Sequence, residues 1–320
     1  MRYDLADWDD AVVALRDARE VALACHVNPD GDALGSLLAA SEGLRKMGKP
    51  TYPSWGTSPV KAPFAYSFLP GVDTLMEAED VPETDVFLAL DCGSSDRLES
   101  LESLAHKATC LVNVDHHPGN EEFGTLNLVV PTASSTAEIV TYLLDDLGVD
   151  IDLRIATNLY TGIVTDTGRF QYSNSSPDTL RLAAGLLEKG VSAPAIASEV
   201  FDSSPFGYLK LLGRVLERAT LHEGDRFVYS WITQKDLVET GVALDETEKL
   251  IDLVRATRAA DVTAMFKEQD DGSWRVSLRS KGPNVGALAR SRGGGGHDLA
   301  AGFSSEDIDR TVADLIAELK

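Results

Sequence analysis

The stretch Cys110–Asn120, Cys-Leu-Val-Asn-Val-Asp-His-His-Pro-Gly-Asn, constrains this chain more than any other. Leu111, Val112 and Val114 form an apolar run that drives into Asp115, His116 and His117, and Pro118 and Gly119 then stop it. A short apolar run bounded by turn residues reads as a buried strand that ends at a loop. The charged triplet therefore falls at the carboxyl end of a strand, where open α/β sheets bind ligands. Standing alone, a His-His pair in a turn is more often a satisfied structural pair. Here the same arrangement, an apolar run delivering metal-type ligands, recurs three more times.

The first recurrence is Val21–Cys25, a short strand that runs into His26-Val-Asn-Pro-Asp30-Gly-Asp32. Pro29 and Gly31 enforce a tight loop, and Ala33 to Met47 has a helical pattern with small residues at Gly35, Ser36, Ala39 and Ala40. His26, Asp30 and Asp32 can converge on that loop, and one histidine with two carboxylates suits an ion such as manganese. A helix N-cap would explain Asp32 alone, but not His26 and Asp30. The second is Asp85 to Leu90, a buried-strand run ending on Asp91 and followed by Cys92-Gly-Ser-Ser. A carboxylate at a strand tip among small residues is open to bridge two ions; taken alone, it fits an N-cap equally well. The third is Leu153 to Val164, a helical run that ends in Thr165-Asp166-Thr167-Gly168. Between these, Pro50–Trp55 and Thr125–Val130 read as strands, and Ser134, Ser135 and Thr136 fit caps of a helix over Ala137–Leu147 better than ligand contacts.

At 320 residues the chain is too long for one typical core. No apolar run is long enough to span a bilayer, and the acidic opening Met1–Asp10 is unlike a signal peptide, so a cytoplasmic location is expected. Cys25, Cys92 and Cys110 sit in apolar runs without CxxC spacing, as buried reduced thiols would. The formal net charge of −22 repels long polyanions, because phosphate neutralisation supplies most nucleic-acid affinity. Nucleotides handled by such a chain should be small, with no long duplex nucleic acid and no membrane among its partners. The basic residues Arg45, Lys46, Lys49 and Lys61 occupy an acid-free stretch that fits a solvated loop better than a substrate rim.

Helices over Pro177–Lys189 and Ser192–Phe201 lead to Asp202-Ser-Ser-Pro205, the best boundary. The expected division is a domain over 1–190, a linker over 191–207 and a second domain over 208–320. The second half changes character: a helix over Tyr208–Arg218, paired strands over Ala219–Leu221 and Arg226–Trp231, and a helix over Asp245–Ala256. Strands over Asp261–Lys267 and Trp274–Ser280 and a short helix over Val285–Arg290 follow, then Gly293-Gly-Gly-Gly296-His297. Glycines expose backbone N–H groups and admit close approach. The segment Arg279–His297 carries four basic residues and no acid, which suits a phosphate cradle. A glycine run alone is often a linker, but the Ala300-Ala-Gly-Phe303 that follows looks packed.

His26-x3-Asp30-x-Asp32, Asp91, Asp115-His116-His117 and Asp166 together resemble the four motifs of the DHH phosphoesterases. Ser277-Leu-Arg279-Ser and the glycine run ending His297-x-x-Ala-Ala-Gly resemble the DHH-associated C-terminal domain. The resemblance covers nearly the whole chain and is strongest to the nanoRNase/pAp-phosphatase group. It implies an α/β chain: an N-terminal parallel-sheet domain with flanking helices, a smaller C-terminal mixed-sheet α/β domain, and an active site in the cleft between them. It implies two manganese ions, one on His26, Asp30 and Asp91 and the other on Asp32, Asp91, His116 and Asp166. Asp115 would orient a histidine and His117 would meet the substrate, while Arg279, Gly294, Gly295, Gly296 and His297 would hold a terminal nucleotide. Arg292 stands where the family pattern suggests an aromatic residue, which would either remove a stacking contact or add a phosphate contact. The implied activity is hydrolysis of short oligoribonucleotides and of 3′-phosphoadenosine 5′-phosphate (pAp), with cyclic di-AMP or linear pApA as the alternative, in a homodimer. Family II pyrophosphatases share the first set of motifs, but their basic Ser-Arg-Lys-Lys-Gln signature is absent. Two readings from other classes are a nucleotide sensor without turnover and a zinc module using Cys25 and Cys92; the complete carboxylate set speaks against the sensor.

Overall fold

In the computed structural model, which describes residues 3–319, every run read as a strand in the first half joins one parallel sheet. The unit Met1–Ser203 opens with helix α1 (Trp8–Asp17), strand β1 (Val21–Cys25), helix α2 (Gly31–Lys46) and strand β2 (Thr51–Ser54). It continues through β3 (Val86–Leu90), α3 (Glu102–Lys107), β4 (Cys110–Asp115) and β5 (Leu126–Val129), and ends with α4 (Thr136–Asp146), α5 (Leu153–Asp166), α6 (Pro177–Glu188) and α7 (Ala193–Phe201). The strand order is β2-β1-β3-β4-β5, all parallel.

Strands β1 and β3 are buried along their whole length, as a parallel sheet covered on both faces requires. Their side chains alternate with period two. Val21, Leu23, Cys25, Leu88, Leu90, Val112 and Val114 face one core with α1, α2, α4 and α5. Ala22, Ala24, Phe87, Ala89 and Leu111 face a second core with Leu98, Leu101 and Ala105. The order reverses between β1 and β3, and ligands in such sheets bind at this switch point, beyond the carboxyl ends of the strands. His26 follows β1 and Asp91 follows β3, so chain topology alone brings these two residues to the switch point. Asp166 departs from the strand-then-ligand pattern by arriving in the last turn of α5.

The unit Ser204–Lys320 begins at α8 (Phe206–Arg218), β6 (Thr220–His222), β7 (Phe227–Ile232) and α9 (Gln234–Thr240). Next come α10 (Leu250–Arg255), β8 (Val262–Glu268), β9 (Trp274–Ser280), α11 (Val285–Arg290), β10 (Gly295–His297), β11 (Ala300–Ser305) and α12 (Ile308–Glu318). Its sheet order is β10-β11-β9-β8-β7-β6, with β7 and β8 parallel and the other pairs antiparallel. The helix expected over Asp245–Ala256 is a 3₁₀ turn at Leu244–Thr247 followed by α10. The glycine run is a hairpin arm. A Cβ on Gly294 would lie 2.1 Å from the Gly302 carbonyl oxygen, so only glycine lets that backbone approach β11. Helices α9 and α12, β10 and β11 were not expected. Among them α12 was readable, because Ile308, Val312 and Leu315 repeat at helical spacing and pack into the core.

Helices α2 and α5 meet through small residues. A Cβ on Gly35 would lie 2.5 Å from the Asn158 carbonyl oxygen and 3.1 Å from the Gly162 nitrogen. Alanine gains up to ~1 kcal/mol in helix propensity over glycine, but overpacking against fixed backbone costs ~1–3 kcal/mol. Gly35→Ala should therefore lower the thermal midpoint by several degrees in calorimetry; an unchanged or raised midpoint would show that the helices can spread.

Candidate metal centre

Each donor is placed by a local rule. Asp30 caps α2, its Oδ1 accepting the Asp32 and Ala33 amides at 3.0 Å each. The cap is therefore Asp30 and not Asp32. Asp32, one residue inside the helix, turns inward and is 1% exposed. Its Oδ2 accepts the Thr136 amide at 2.7 Å and its Oδ1 the Ala137 amide at 2.9 Å. A buried carboxyl group thus sits at the positive N-terminus of α4, where two helix amides without intrahelical acceptors take it as partner. Asp91 caps no helix; Ser94 precedes the next helical turn. Its backbone takes φ 58°, a left-handed conformation uncommon for a non-glycine residue. The Asp91 amide donates to the Val114 carbonyl at 3.0 Å, and its Oδ1 accepts the Thr136 hydroxyl at 2.9 Å. Ser135 is the cap of α4, as expected, whereas the neighbouring Thr136 hydroxyl serves the site. Asp166 Oδ2 accepts Asn174 Nδ2 at 3.2 Å.

Around Asp91 the donor atoms gather at separations too long for hydrogen bonds. His116 Nε2 stands 3.8 Å from Asp32 Oδ2, 3.7 Å from Asp91 Oδ1 and 3.8 Å from Asp166 Oδ2. His26 Nε2 stands 3.5 Å from Asp91 Oδ2. Ligand atoms around one octahedral ion with bonds of ~2.1 Å lie ~3–4.3 Å apart, so this spacing fits a shared cation better than direct contact. His26, Asp30 and Asp91 can each offer an atom within 4.8 Å of one another, and so can Asp32, Asp91 and His116. Asp91 belongs to both sets. His26 Nδ1 lies 2.9 Å from the Val27 carbonyl oxygen, which only accepts, so Nδ1 carries the proton and Nε2 is turned to the carboxylates.

The electrostatics also suit a cation. Burial and the Asp91 charge push the Asp32 carboxyl well above the usual carboxylate range. Burial works against an ionised Asp91 too, but the neighbouring imidazoles of His26, His117 and His116 outweigh it and hold Asp91 low. A histidine and carboxylate set of this kind takes a divalent ion of borderline-to-hard character. Burial also opposes a charged His117. The Asp115 hydrogen bond and the carboxylates of Asp91, Asp115 and Asp166 outweigh it and pull its pKa up to about 10. A divalent ion among the same carboxylates would cancel part of that pull.

Asp115 pairs with His117 and not His116: its Oδ1 lies 2.7 Å from His117 Nδ1. Its Oδ2 accepts Asn120 Nδ2 at 2.6 Å, and the same amide reaches the Cys92 carbonyl at 2.9 Å. Asn120 Oδ1 in turn accepts Asn113 Nδ2 at 2.9 Å. The His117 side chain is 29% exposed, against 4% for His116. Cys25 and Cys92 are fully buried, and burial raises both thiols well above their ordinary range. Among the described residues no close group of three donors includes a cysteine, which leaves the zinc-module reading without a ligand set.

In the second unit, Arg279 lies on β9 opposite Ala300, and His297 opposite Ala300 on the other side, so Arg279 and His297 share one face of the sheet. Arg279 Nη1 donates to the Leu278 carbonyl at 3.0 Å, Nε is 3.7 Å from Asp252 Oδ1, and Nε is buried without a hydrogen-bond acceptor. Gly294, Gly295 and Gly296 lead along the hairpin to His297. Arg292 is drawn away from a ligand role: it pairs with Glu318 at 2.7 Å and lies 5.4 Å over the Phe303 ring. Arg45, Lys46 and Lys49 are likewise structural, bound to Thr51, to Asp152 and to the Ala18 carbonyl.

Residues 20–163 match the DHH family, N-terminal domain, and residues 224–320 match the DHHA1 domain. The chain is 34% identical over 292 residues to the bifunctional oligoribonuclease and PAP phosphatase NrnA of Thermus thermophilus, covering 90% of this chain and 85% of that protein. It belongs to the DHH family of phosphoesterases. A more distant match is the cyclic-di-AMP phosphodiesterase GdpP of Geobacillus thermodenitrificans, 30% identical over 234 residues, which cover 68% of this chain and 33% of that protein. Among solved structures, an exopolyphosphatase-related protein from Bacteroides fragilis has the same fold, with a TM-score of 0.88 and 23% identity over 98% of this chain and 95% of that one.

Two contributors to this DHH site, Asn120 and Asn174, escaped the sequence reading, and a third, Thr136, was read as a cap in preference to a ligand contact. Each is an ordinary cap or turn residue locally, and only long-range contact gives it a task. Replacing Asn120 by Ala removes one donor to Asp115 and loosens His117. Support of this kind typically carries ~10–100-fold in activity, so kcat should fall by about that factor while Mn2+ uptake stays at the wild-type level. Unchanged kcat would show that Asp115 holds His117 unaided.

Proposed function

We propose that this chain is a manganese-dependent phosphohydrolase that cleaves short oligoribonucleotides to nucleoside monophosphates and removes the 3′-phosphate of pAp to give AMP. The observation that carries the reading is Asp91: one buried carboxylate at the β1/β3 switch point shared by two donor sets. His26, Asp30 and Asp91 would hold one ion, and Asp32, Asp91, His116 and Asp166 a second. Bound there, such a pair supplies charge neutralisation for the phosphoryl oxygens and activates the attacking water. The protein's own groups do the rest. Asp115 holds His117 by Nδ1 and so presents Nε2 toward the substrate, where it can give a proton to the leaving oxygen. No side-chain nucleophile is needed. Arg279, His297 and the amides of Gly294, Gly295 and Gly296 would receive the phosphate or base of a terminal nucleotide.

The names of the relatives support these substrates in unequal measure. The oligoribonuclease and PAP phosphatase match extends over most of both chains, whereas the cyclic-di-AMP phosphodiesterase match covers a third of its partner. Cyclic di-AMP and pApA are therefore the second reading. The intact carboxylate set argues for turnover over a silent sensor. Three free thiols support a reducing compartment, and a cytoplasmic homodimer is the proposed state. Among the described residues no helix is long and apolar enough to cross a membrane.

With Mn2+, a panel of pAp, a short oligoribonucleotide, pApA, cyclic di-AMP and pyrophosphate, read by product chromatography, should give nucleoside monophosphate fastest from pAp and the oligoribonucleotide. Slower turnover is expected of cyclic di-AMP and none of pyrophosphate. Preferential turnover of cyclic di-AMP would move the second reading to first place, and no turnover of any nucleotide would sink the hydrolase reading.

A further inference from the structure

Glu138 has no task in the chemistry above, yet it is 5% exposed and accepts four hydrogen bonds. Its Oε2 takes the Ser134 amide at 3.2 Å, the Ser134 hydroxyl at 2.5 Å and the Thr179 hydroxyl at 3.1 Å. Its Oε1 takes the Tyr3 hydroxyl at 2.6 Å. The turn it grips is the one from which three of the donors are held. The Ser134 carbonyl accepts Asn174 Nδ2 at 2.8 Å, and that amide also bonds Asp166 Oδ2. Two and three residues on, the Thr136 and Ala137 amides hold Asp32, and the Thr136 hydroxyl holds Asp91.

We propose that Glu138 is a positioning residue for the metal centre: it locks the Ser134–Thr136 turn, and that turn sets the separations of Asp32, Asp91 and Asp166. The inference rests on the reading that these carboxylates bind divalent ions. Removing a buried acceptor leaves the Ser134 amide and hydroxyl without that partner, which drives the turn to move. A metal site tolerates little such movement, because its ligands must keep their spacing. The two carboxylate oxygens divide the work. Oε2 serves the site through Ser134, whereas Oε1 anchors the N-terminal segment through Tyr3 and touches none of the donors.

That division makes the role separable from mere stability. Mn2+ affinity, measured by titration calorimetry on the metal-stripped full chain, should fall ~10–100-fold in Glu138→Ala. Glu138→Gln keeps an amide oxygen for Ser134 and should stay within a few-fold of wild type. Tyr3→Phe should lower the thermal midpoint and leave the affinity unchanged. Should Glu138→Ala not fold, Glu138→Asp, one methylene short of Ser134, should show the loss in its place. Wild-type affinity in Glu138→Ala or, failing that variant, in Glu138→Asp overturns the proposal. So does an affinity loss in Tyr3→Phe that tracks its loss of stability. Absence of Mn2+ uptake by the wild-type chain refutes the metal reading itself, and the role of Glu138 with it.

Discussion

Three aspartates and two histidines crowded around a fourth, the buried Asp91, are the constraint that the N-terminal unit answers to. Asp32 and Asp91 are nearly inaccessible, and an ionised carboxylate moved from water to an interior loses several kcal/mol of solvation. Proteins meet that cost by pairing the charge, by hydrogen-bonding it, or by leaving room for a metal. Here the second and third means are combined. Asp32 is seated on the N-terminal amides of α4, and Asp91 takes the Thr136 hydroxyl. Their remaining lone pairs, with those of His26, His116 and Asp166, face one another at 3.5–3.8 Å. The sheet order then explains why the cluster forms where it does, since the β1/β3 reversal leaves a gap between departing chains beyond the strand ends.

The division between what the sequence announced and what it concealed follows from chemistry. His26, Asp30, Asp32, Asp91, His116 and Asp166 were readable because charged residues at the tips of apolar runs are conspicuous, and the structure brings all six together. Their supports were not readable. Asn120, Thr136, Asn174 and Glu138 are neutral, or sit where helix-capping residues normally sit, and their partners lie up to 135 residues away. Capping was the right expectation for Ser135 and an incomplete one for Thr136, which begins a helix and holds two carboxylates besides. The same blindness to distance hid which of Asp30 and Asp32 caps α2: spacing shows two acids at a helix start, but only packing against α4 tells which faces inward.

The second half was legible to a different degree. Its longer strands alternate strongly enough to be found, whereas β10 and β11 hide in glycine and alanine. What identifies them is steric, since Gly294 lies so close to the Gly302 carbonyl that no side chain fits. Arg292 marks the limit of reading charge as function. In a basic stretch beside glycines it suggests a phosphate contact, yet Glu318 and Phe303 claim it. Arg279 keeps its place on the sheet face shared with His297.

Everything proposed for the chemistry depends on Asp91 serving two ions. Metal content of the Mn2+-loaded chain, counted by mass spectrometry after gel filtration, tests this directly. Two ions per chain are expected for the wild type and one or none for Asp91→Asn. Two ions retained by that variant would contradict a shared carboxylate and with it the arrangement of the centre.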